Sequence, residues 1–470
     1  MRLDDSLRSL AELSGLRDGP RATLRYLHTL LRFNQRPLDE LLAMGVDGPP
    51  VTRLWLVLET LYFVNDPSAI RRMLVENRNA YSRARNLEAP WLRDLLGAGL
   101  LTTDGPEWLA LRRASQPAFL ADGLAAVAER LAQTTHRVLT TWQPWREPGT
   151  VVDVFPHLVA LTVALALRAF FDHDVDEAEA LAVAHALLRG QEHILRHLRY
   201  PFWPPDAVPL PQNIRYRADV RTVRATLRSA EDARTRRGDR DNARDLYALF
   251  AAAPGEHTPE AAQRRRDQFV TTFMAAPENT ATALTWTLYL LARHPAVLAS
   301  VQDELGAWPG GPAAFPARAG VFPQLRQVLN ETLRLFPGAP YFDRRSLADD
   351  TLAGASIPCG ALVMVSPYVI HRTTRFWTAP AEFRPERFAP GGEGTDNPAY
   401  IPFGVGPRRC IGDQFALLIL EIVLPRLLAR LRPERLDPTP VDVDPQINLR
   451  PRGGMFMRLR PTEATPRPAG

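Results

Sequence analysis

One cysteine in the sequence has the surroundings of a reactive or ligating thiolate. Cys410 lies in the segment 403–412, FGVGPRRCIG, beside two arginines and just before a predicted apolar helix. Helix N-termini and neighbouring arginines both stabilise a thiolate. Gly404, Gly406 and Gly412 permit the positive φ angles of a tight loop and let its backbone approach a large planar ligand. Loop N–H groups can also tune the donor strength of the sulfur. The alternative is a structural cysteine in a turn.

Composition excludes several other kinds of chemistry. The 470 residues are 46% hydrophobic and 23% charged, which indicates a globular chain and excludes collagen and coiled coil. All 57 basic residues are arginine, so the chain has neither a Schiff-base lysine nor a P-loop lysine. The net charge of +5 is mild and scattered, so no nucleic-acid partner is expected.

The cysteine count and the apolar runs indicate a cytoplasmic protein. With two cysteines, Cys359 and Cys410, a disulfide framework does not stabilise a chain of this size, and Cys359 is interpreted as a plain turn residue. Residues 1–16 contain no continuous apolar segment. The longest apolar runs, 158–167 and 415–420, are far shorter than the roughly 20 residues that span a bilayer. No membrane anchor is expected.

Periodicity predicts a mainly α fold with a small β portion. The segment 51–64 is rich in β-branched and aromatic residues and predicts a hairpin, while 355–365 and 446–459 predict further strands. Residues 258–259, Thr-Pro, are typical of a helix start, and the next clear terminator is Pro295. The helix between them would be roughly 50 Å long, which is the width of the whole molecule.

The loop-like stretches favour one domain. The three candidates, 200–211, 234–245 and 306–320, are too short or too aromatic to be linkers between separate cores. The sequence has no internal repeat. We therefore predict one domain over residues 1–460, followed by a disordered tail at 461–470.

Four motifs occur in order along the chain and resemble those of a known family. They are Trp108-x-x-x-Arg112, Glu331-x-x-Arg334, Pro385-Glu-Arg-Phe388 and Phe403-x-x-Gly406-x-Arg408-x-Cys410-x-Gly412. Together they resemble the signature motifs of the cytochrome P-450 superfamily, the haem-thiolate monooxygenases. The resemblance spans nearly the whole chain, and it implies a single large domain with a long central helix over the haem.

The resemblance assigns a set of residues to a haem b cofactor with Cys410 as the axial thiolate ligand of iron. Arginine pairs bidentately with carboxylates, so arginines are expected on the haem propionates, and an indole N–H adds a donor. Arg345 is an adjacent alternative to Arg344. The cofactor-binding residues so implied are Cys410, Arg112, Trp108, Arg344, Arg408, Phe403 and Gly404.

A charged triad is implied to hold the cysteine loop. Glu331 and Arg334 are three residues apart on one helix and share a face. With Arg387 they would form a buried network, from which removing one member costs on the order of 3–5 kcal/mol. The same groups at the surface would contribute under about 1 kcal/mol. His371 is expected to have a structural role.

The catalytic candidates Glu278, Asn279 and Thr280 lie in the long helix. The resemblance implies an acid followed by an alcohol, but the position after Glu278 holds Asn279 instead of threonine. We expect Glu278 to supply protons through water and the Asn279 amide to position the oxygen. Alternatively, Thr280 has taken over the alcohol role. Pro277 is expected to kink the helix and to free the carbonyl of Phe273.

The substrate pocket implied by the resemblance is mostly apolar and aromatic. Such a lining suits a terpenoid, a fatty acyl or a polyketide-like compound of secondary metabolism, and it does not distinguish them. Its predicted residues are Phe269, Phe273, Met274, Ala275, Pro340, Tyr341, Phe342, Met455 and Phe456.

The implied function is monooxygenation with O2 and two electrons from a separate ferredoxin or flavodoxin and its reductase. Arg112 and Arg113 with Arg408 and Arg409 predict a basic patch for such an acidic partner. We expect a monomer. The alternative is a haem-thiolate protein without monooxygenase activity: a peroxide-driven peroxygenase, an isomerase or a ligand-binding homologue.

One histidine pair remains outside this scheme. His193 and His197 are four residues apart and would share a helix face. No third ligand accompanies them in the sequence, so they are expected to be pocket-side or surface histidines and not a zinc site.

Overall fold

Helices predominate in the computed structural model, and short strands form a small β portion, so the predicted fold class is confirmed. Proline opens many of the helices because its missing N–H costs no hydrogen bond in the first turn. The structure describes residues 36–56, 59–83, 92, 96–143, 145–147, 149–199, 204, 206–237, 245–251 and 259–462.

The helices of this part of the chain carry the core. They are α1 (Pro37–Gly45), α2 (Pro67–Arg71), α3 (Gly105–Ser115), α4 (Ala121–Thr141), α5 (Val154–Phe171), α6 (Glu177–Arg199), α7 (Pro211–Arg236), α8 (Leu246–Ala251), α9 (Pro259–Arg293), α10 (Pro295–Gly306), α11 (Pro323–Leu335), α12 (Pro367–Ile370) and α13 (Asp413–Leu428).

The strands form one larger sheet and three small ones. They are β1 (Val51–Leu56), β2 (Glu59–Val64), β3 (Tyr81–Ser82), β4 (Val151–Asp153), β5 (Phe342–Ser346), β6 (Asp350–Leu352), β7 (Ala355–Ile357), β8 (Leu362–Val365), β9 (Leu431–Glu434), β10 (Val443–Pro445), β11 (Leu449–Pro451) and β12 (Phe456–Pro461). The five-stranded sheet has the order β1-β2-β8-β5-β3, with β2 and β8 parallel and its other pairs antiparallel. The small sheets are β4-β12-β9, β10-β11 and β6-β7.

The predicted strands are present, with breaks where glycine and proline occur. The hairpin over 51–64 is confirmed as β1 and β2. The segment 355–365 divides into β7 and β8, because Pro358 cannot donate to a sheet and Gly360 has a φ of +84°. The segment 446–459 contains β11 and the start of β12, separated by the positive-φ glycines 453–454.

The long central helix α9 packs along α5 through the middle of the helical core. It ends at Arg293, as expected from Pro295, and it begins at Pro259, while the predicted N-cap Thr258 lies outside the described residues. Pro277 lies within the helix and cannot donate to the carbonyl of Phe273. The Thr162 hydroxyl of α5 donates to the Pro277 carbonyl at 2.9 Å, which ties the two helices together at this turn.

The core around α5 is rich in aromatic rings. Phe170 lies edge-on to Phe119, Phe269 and Phe415, which joins α5 to α9 and α13. Among the described residues, α5 is the one helix long and apolar enough to cross a membrane, but 83% of it is buried inside the protein. Its apolar surface is therefore explained by helix packing.

Two predicted boundaries differ from the structure. Residues 234–236, expected in a loop, form the last turn of α7. Pro461 and Thr462, expected in the tail, extend the β12 edge, since Pro461 pairs with Leu431 and the Thr462 N–H donates to the Arg430 carbonyl. The other tail residues, 463–470, lie outside the described part of the chain.

Candidate functional site

The loop that carries Cys410 is built around two left-handed glycines. Gly404 and Gly406 have φ angles of +74° and +75°, which other residues adopt only with strain. A Cβ added to Gly406 would lie 2.2 Å from the carbonyl oxygen of Leu74, so this glycine also permits a close backbone approach. The Cys410 N–H donates to the Phe403 carbonyl at 3.0 Å and closes the loop just before α13.

Cys410 is exposed, although the protein is dense around its thiol. The residue keeps an exposed surface, yet the surrounding protein is dense enough that burial raises the pKa of the thiol. The N–H of Gly412 and the guanidinium of Arg112 act in the opposite direction. A metal ion that bound this sulfur would displace the thiol proton.

The predicted triad is buried and charged. Arg334 donates from Nε and Nη2 to the two carboxylate oxygens of Glu331, at 2.7 and 2.8 Å. The Nε of Arg387 donates to Oε1 of Glu331 at 3.3 Å. Arg334 and Glu331 have no exposed surface, so each charge depends on the others for compensation.

His371 connects this triad to the cysteine loop. Its Nδ1 lies 3.0 Å from the Arg334 carbonyl, and its Nε2 accepts the N–H of Ile401 at 2.9 Å. Since Nε2 accepts, the proton of the neutral ring lies on Nδ1, which donates to Arg334. Burial lowers the pKa of His371 to about 3, so the ring is neutral at ordinary pH. Ile401 lies two residues before Phe403, at the start of the loop.

Three arginines crowd together beside the cysteine loop. Burial is the largest cause that lowers the pKa of Arg83 and of Arg344, and the nearby charge of Arg408 lowers both further. The pKa of Arg83 falls to about 9 and that of Arg344 to about 10. Arg408 pairs with Asp104 and stacks on the Trp108 ring, 4.2 Å from its centroid. This excess of positive charge favours a bound anion.

Sequence reasoning missed Arg83 in this cluster. It follows β3 directly, and its Nη1 donates to the carbonyls of Leu100 and Leu101. Its nearness to β5 comes from the pairing of Tyr81 with Ser346. No local pattern around Arg83 in the sequence reveals its burial.

Alternation along β5 separates the two rival arginines. Arg344 is buried toward the arginine cluster, while the next residue, Arg345, points to the other face of the strand and donates to the Gly360 carbonyl at 2.6 Å. Arg112 lies nearer the cysteine, where its Nη1 donates to the Arg409 carbonyl at 2.9 Å. The structure therefore brings Arg344 and Arg408 together and holds Arg112 against the loop itself.

The three catalytic candidates of α9 face different surroundings. Glu278 is fully buried and accepts a 2.5 Å hydrogen bond from Nε of Arg450 on β11. Burial raises the pKa of this carboxyl, while Arg450 opposes the shift. Asn279 is partly exposed; its Nδ2 donates to the Ala275 carbonyl at 2.9 Å. Thr280 is buried, and its hydroxyl donates back to the Ala276 carbonyl at 3.0 Å.

The predicted pocket residues differ in burial. Phe269 and Phe273 are buried where their face of α9 packs on the rings of α5, and Met455 is buried in the same core. Phe456 begins the edge of β12 and is 57% exposed. Their assignment to the pocket stays a prediction.

The remaining predicted pocket residues keep a position consistent with a ligand site. Met274 lines a small cleft between α6, α7 and α9, and Ala275 is partly exposed beside it. Pro340 is buried, whereas Tyr341 and Phe342 are partly exposed where the chain enters β5.

Comparison with known proteins shows the family. Residues 24–458 match the family model described as Cytochrome P450. Cyclooctatin synthase of Streptomyces melanosporofaciens is 30% identical over 443 residues, which cover 94% of this chain and 93% of that protein. The crystal structure of CYP175A1 from Thermus thermophillus has a TM-score of 0.70 at 28% identity, and the match covers 92% of this chain and 97% of that chain.

The chain belongs to the cytochrome P450 family. It is an enzyme of the monooxygenase type, and its relatives include cyclooctat-9-en-7-ol 5-monooxygenase of S. melanosporofaciens, at 28% identity over 86% of each chain. Pentalenene oxygenase of Streptomyces avermitilis is 27% identical, over 92% of this chain and 94% of that protein.

Membership of the P450 family implies a haem ligated by a cysteine thiolate, and the residues present fit such a group. Cys410 is an exposed residue in a loop that contains two left-handed glycines. The arginine cluster beside it carries more positive charge than Asp104 and Asp343 offset. A planar group with two carboxylates would satisfy both features.

We predict that Glu331→Gln lowers the free energy of unfolding by about 3–5 kcal/mol, because the fully buried guanidinium of Arg334 loses its counter-charge, while Arg387 keeps its pairing with Glu393. Urea unfolding followed by circular dichroism measures the change. The control is Glu386→Gln, whose carboxylate is 62% exposed and pairs with Arg384 at the surface, with an expected change under about 1 kcal/mol. Equal effects of the two substitutions would contradict a buried triad.

We predict that His371 makes the free energy of unfolding fall in acid. Its pKa is about 3 in the folded protein and about 6.5 when unfolded, so the unfolded chain binds the proton first as pH falls. The contribution is fully present above about pH 6.5 and is lost as pH falls toward 3.

In urea unfolding between pH 6 and pH 4, His371→Gln is expected to weaken the pH dependence by up to about 1.4 kcal/mol per pH unit. His185→Gln, at an exposed position on α6, serves as the control and should keep the wild-type slope. Identical slopes for wild type and His371→Gln would show that this ring does not stay neutral in the folded protein.

Proposed function

We propose that this P450 is a haem-thiolate monooxygenase that oxidises an apolar terpenoid in the cytoplasm. The observation that carries the proposal is the pairing of an accessible cysteine, in a loop of left-handed glycines, with the crowded arginines beside it. The terpenoid class is supported by the relatives named for cyclooctatin, pentalenene and carotene. The apolar, partly exposed residues of α9 suit such a substrate.

Cys410 would hold the haem iron, with Phe403 and Gly404 shaping the loop beneath it. Arg344 and Arg408, joined by Arg83, would pair with the propionates, which relieves the mutual repulsion of the three guanidiniums. When bound, the haem supplies the activation of O2 with two electrons. Trp108 would help to hold the group through its stacking on Arg408. Arg112 would do so through its hydrogen bond to the Arg409 carbonyl of the cysteine loop.

Electrons would come from a separate ferredoxin or flavodoxin with its reductase. Of the four arginines expected in a docking patch, Arg408 is turned inward toward Asp104, and Arg112 is bonded to the loop. Arg113 is exposed, and Arg409 is half-exposed although it pairs with Asp413 at 2.8 Å. The patch is thus reduced to Arg113 and Arg409, and its attraction for an acidic partner should weaken with salt.

Asn279 would take the place that an alcohol usually has near the reacting oxygen. Its carboxamide Oδ1 lies against Gly338, where an added Cβ would be 3.1 Å away. With Nδ2 bonded to the Ala275 carbonyl, the amide is held at a partly exposed position and can orient a water molecule. Thr280 is buried, which favours Asn279 as the residue that meets the pocket. Glu278 would deliver protons through water from a carboxyl whose Oε1 is held by Arg450.

We predict that Cys410→Ser abolishes the thiolate-specific absorption band of the reduced carbon monoxide complex, whereas Cys359→Ser, at the other exposed cysteine, leaves it unchanged. A retained band in Cys410→Ser would overturn the ligand assignment. Turnover of terpenoid candidates is then compared with two electron sources, a ferredoxin with its reductase and hydrogen peroxide. Product from peroxide alone would identify a peroxygenase instead of a monooxygenase.

We predict that Asn279→Ala diverts electrons to hydrogen peroxide, because the pocket loses the amide that orients water, while Asn279→Thr retains coupled turnover. The measurement is product formed per NAD(P)H consumed, with peroxide assayed in the same reaction. Thr280→Ala, at the adjacent buried position, is the matched control and should stay coupled. Unchanged coupling in Asn279→Ala together with uncoupling in Thr280→Ala would assign the role to Thr280.

A further inference from the structure

A cluster of three metal-ligating side chains lies between α6 and α7. His193 and His197 are one turn apart on α6, and Asp206 comes from the loop that leads to α7. Oδ1 of Asp206 is 2.7 Å from Nε2 of His193 and 3.4 Å from Nε2 of His197. The expectation that no third ligand accompanies the histidine pair is therefore wrong, because the chain returns to the pair nine residues after His197.

The spacing of these atoms suits a tetrahedral metal ion. Zinc binds nitrogen and carboxylate oxygen at about 2.0–2.2 Å, so two of its ligand atoms lie roughly 3.3 Å apart. The three ligand atoms all lie within 4.8 Å of one another. A shift of a few tenths of an ångström in the Asp206 carboxylate would open the 2.7 Å contact with His193 to that distance.

Both imidazoles turn Nε2 toward Oδ1 of Asp206, and a metal bound there would replace the proton of the 2.7 Å hydrogen bond between His193 and Asp206. Nδ1 of His197 lies 3.1 Å from the His193 carbonyl, which orients this ring. The ring of His193 stacks on Tyr216 of α7, with centroids 3.8 Å apart and an angle of 11° between the planes.

The third ligand is held by contacts of its own loop. Asn213, in the first turn of α7, donates from Nδ2 to the Val208 carbonyl at 3.0 Å, and the Leu210 N–H donates to the same carbonyl at 2.8 Å. The His193 side chain is 4% exposed and that of Asp206 is 31% exposed. The His193 side of the site is thus buried, and the Asp206 side meets water, which would supply the fourth ligand of the ion.

We propose that His193, His197 and Asp206 bind one Zn²⁺ ion, which fastens the loop 206–210 to α6. Two imidazoles and one carboxylate form a donor set that binds zinc in preference to magnesium or calcium. Tyr216, which packs on His193, also lines the small cleft with Met274. The metal therefore holds one wall of the cleft, and this role is independent of the haem chemistry proposed above.

Calorimetric titration of the haem-loaded protein with ZnCl₂, after dialysis against a chelator, tests the site. We expect one Zn²⁺ per chain, with at least tenfold weaker binding in the isosteric variant Asp206→Asn and in His197→Ala. His185→Ala, at an exposed histidine of the same helix, should bind as wild type does. Equal affinity in all four proteins, or no stoichiometric binding in the wild type, would overturn the proposal.

Hydrogen–deuterium exchange locates the effect of the ion. Zinc is expected to slow exchange at the amides of residues 206–208 and 210 by several fold in the wild type and to leave it unchanged in Asp206→Asn. Magnesium at the same concentration should have no effect in either protein. Stoichiometric zinc binding without slower exchange in this loop would place the ion elsewhere and overturn the proposal.

Discussion

The structure depends on one fully buried guanidinium. Arg334 has no exposed surface and remains charged in proteins, so its donors require permanent acceptors. It donates to both oxygens of Glu331 and to the carbonyls of His371, Pro380 and Glu382. These acceptors come from α11 and from the segment that follows α12, so α11 and this segment must meet at one point. Through the neutral ring of His371, the same point sets the backbone at Ile401, where the cysteine loop begins.

The arginine cluster beside the cysteine loop differs from the Glu331 triad, because its charges are not fully compensated. Glu331 offsets the charge of Arg334 and Arg387, whereas Arg83, Arg344 and Arg408 repel one another in a partly buried region. Buried like charges are costly unless an anion joins them. An anionic group bound there would stabilise the folded state in proportion to its affinity. The arginine cluster would therefore be stabilised by a bound anion, whereas the Glu331 triad is charge-compensated by the protein alone.

The long helix α9 combines rigid attachment with local departures from helix geometry. The Trp286 ring stacks on Phe336 and donates to the Leu449 carbonyl at 2.7 Å, which fastens the C-terminal half. Nearer the pocket, Pro277 removes one backbone donor, and Arg450 sequesters Glu278. The central turns thus hold both a carbonyl that lacks its helical donor and a partly exposed amide at Asn279. The cleft beside this helix is a separate feature, because α6 and α7 supply its other walls.

Local residue spacing was enough to predict the helical fold class, the hairpin and the long helix. It also predicted the cysteine loop and the shared helix face of Glu331 and Arg334. Which helix and strand faces pack against each other depends on tertiary contacts and could not be predicted. Strand pairing turned Arg344 into the cluster and packing on α5 drew Phe273 into the core, while the return of the chain brought Asp206 to His193. Spacing along a chain sets which side chains point the same way, but their neighbours depend on contacts between residues far apart in the sequence, and no local pattern records those contacts.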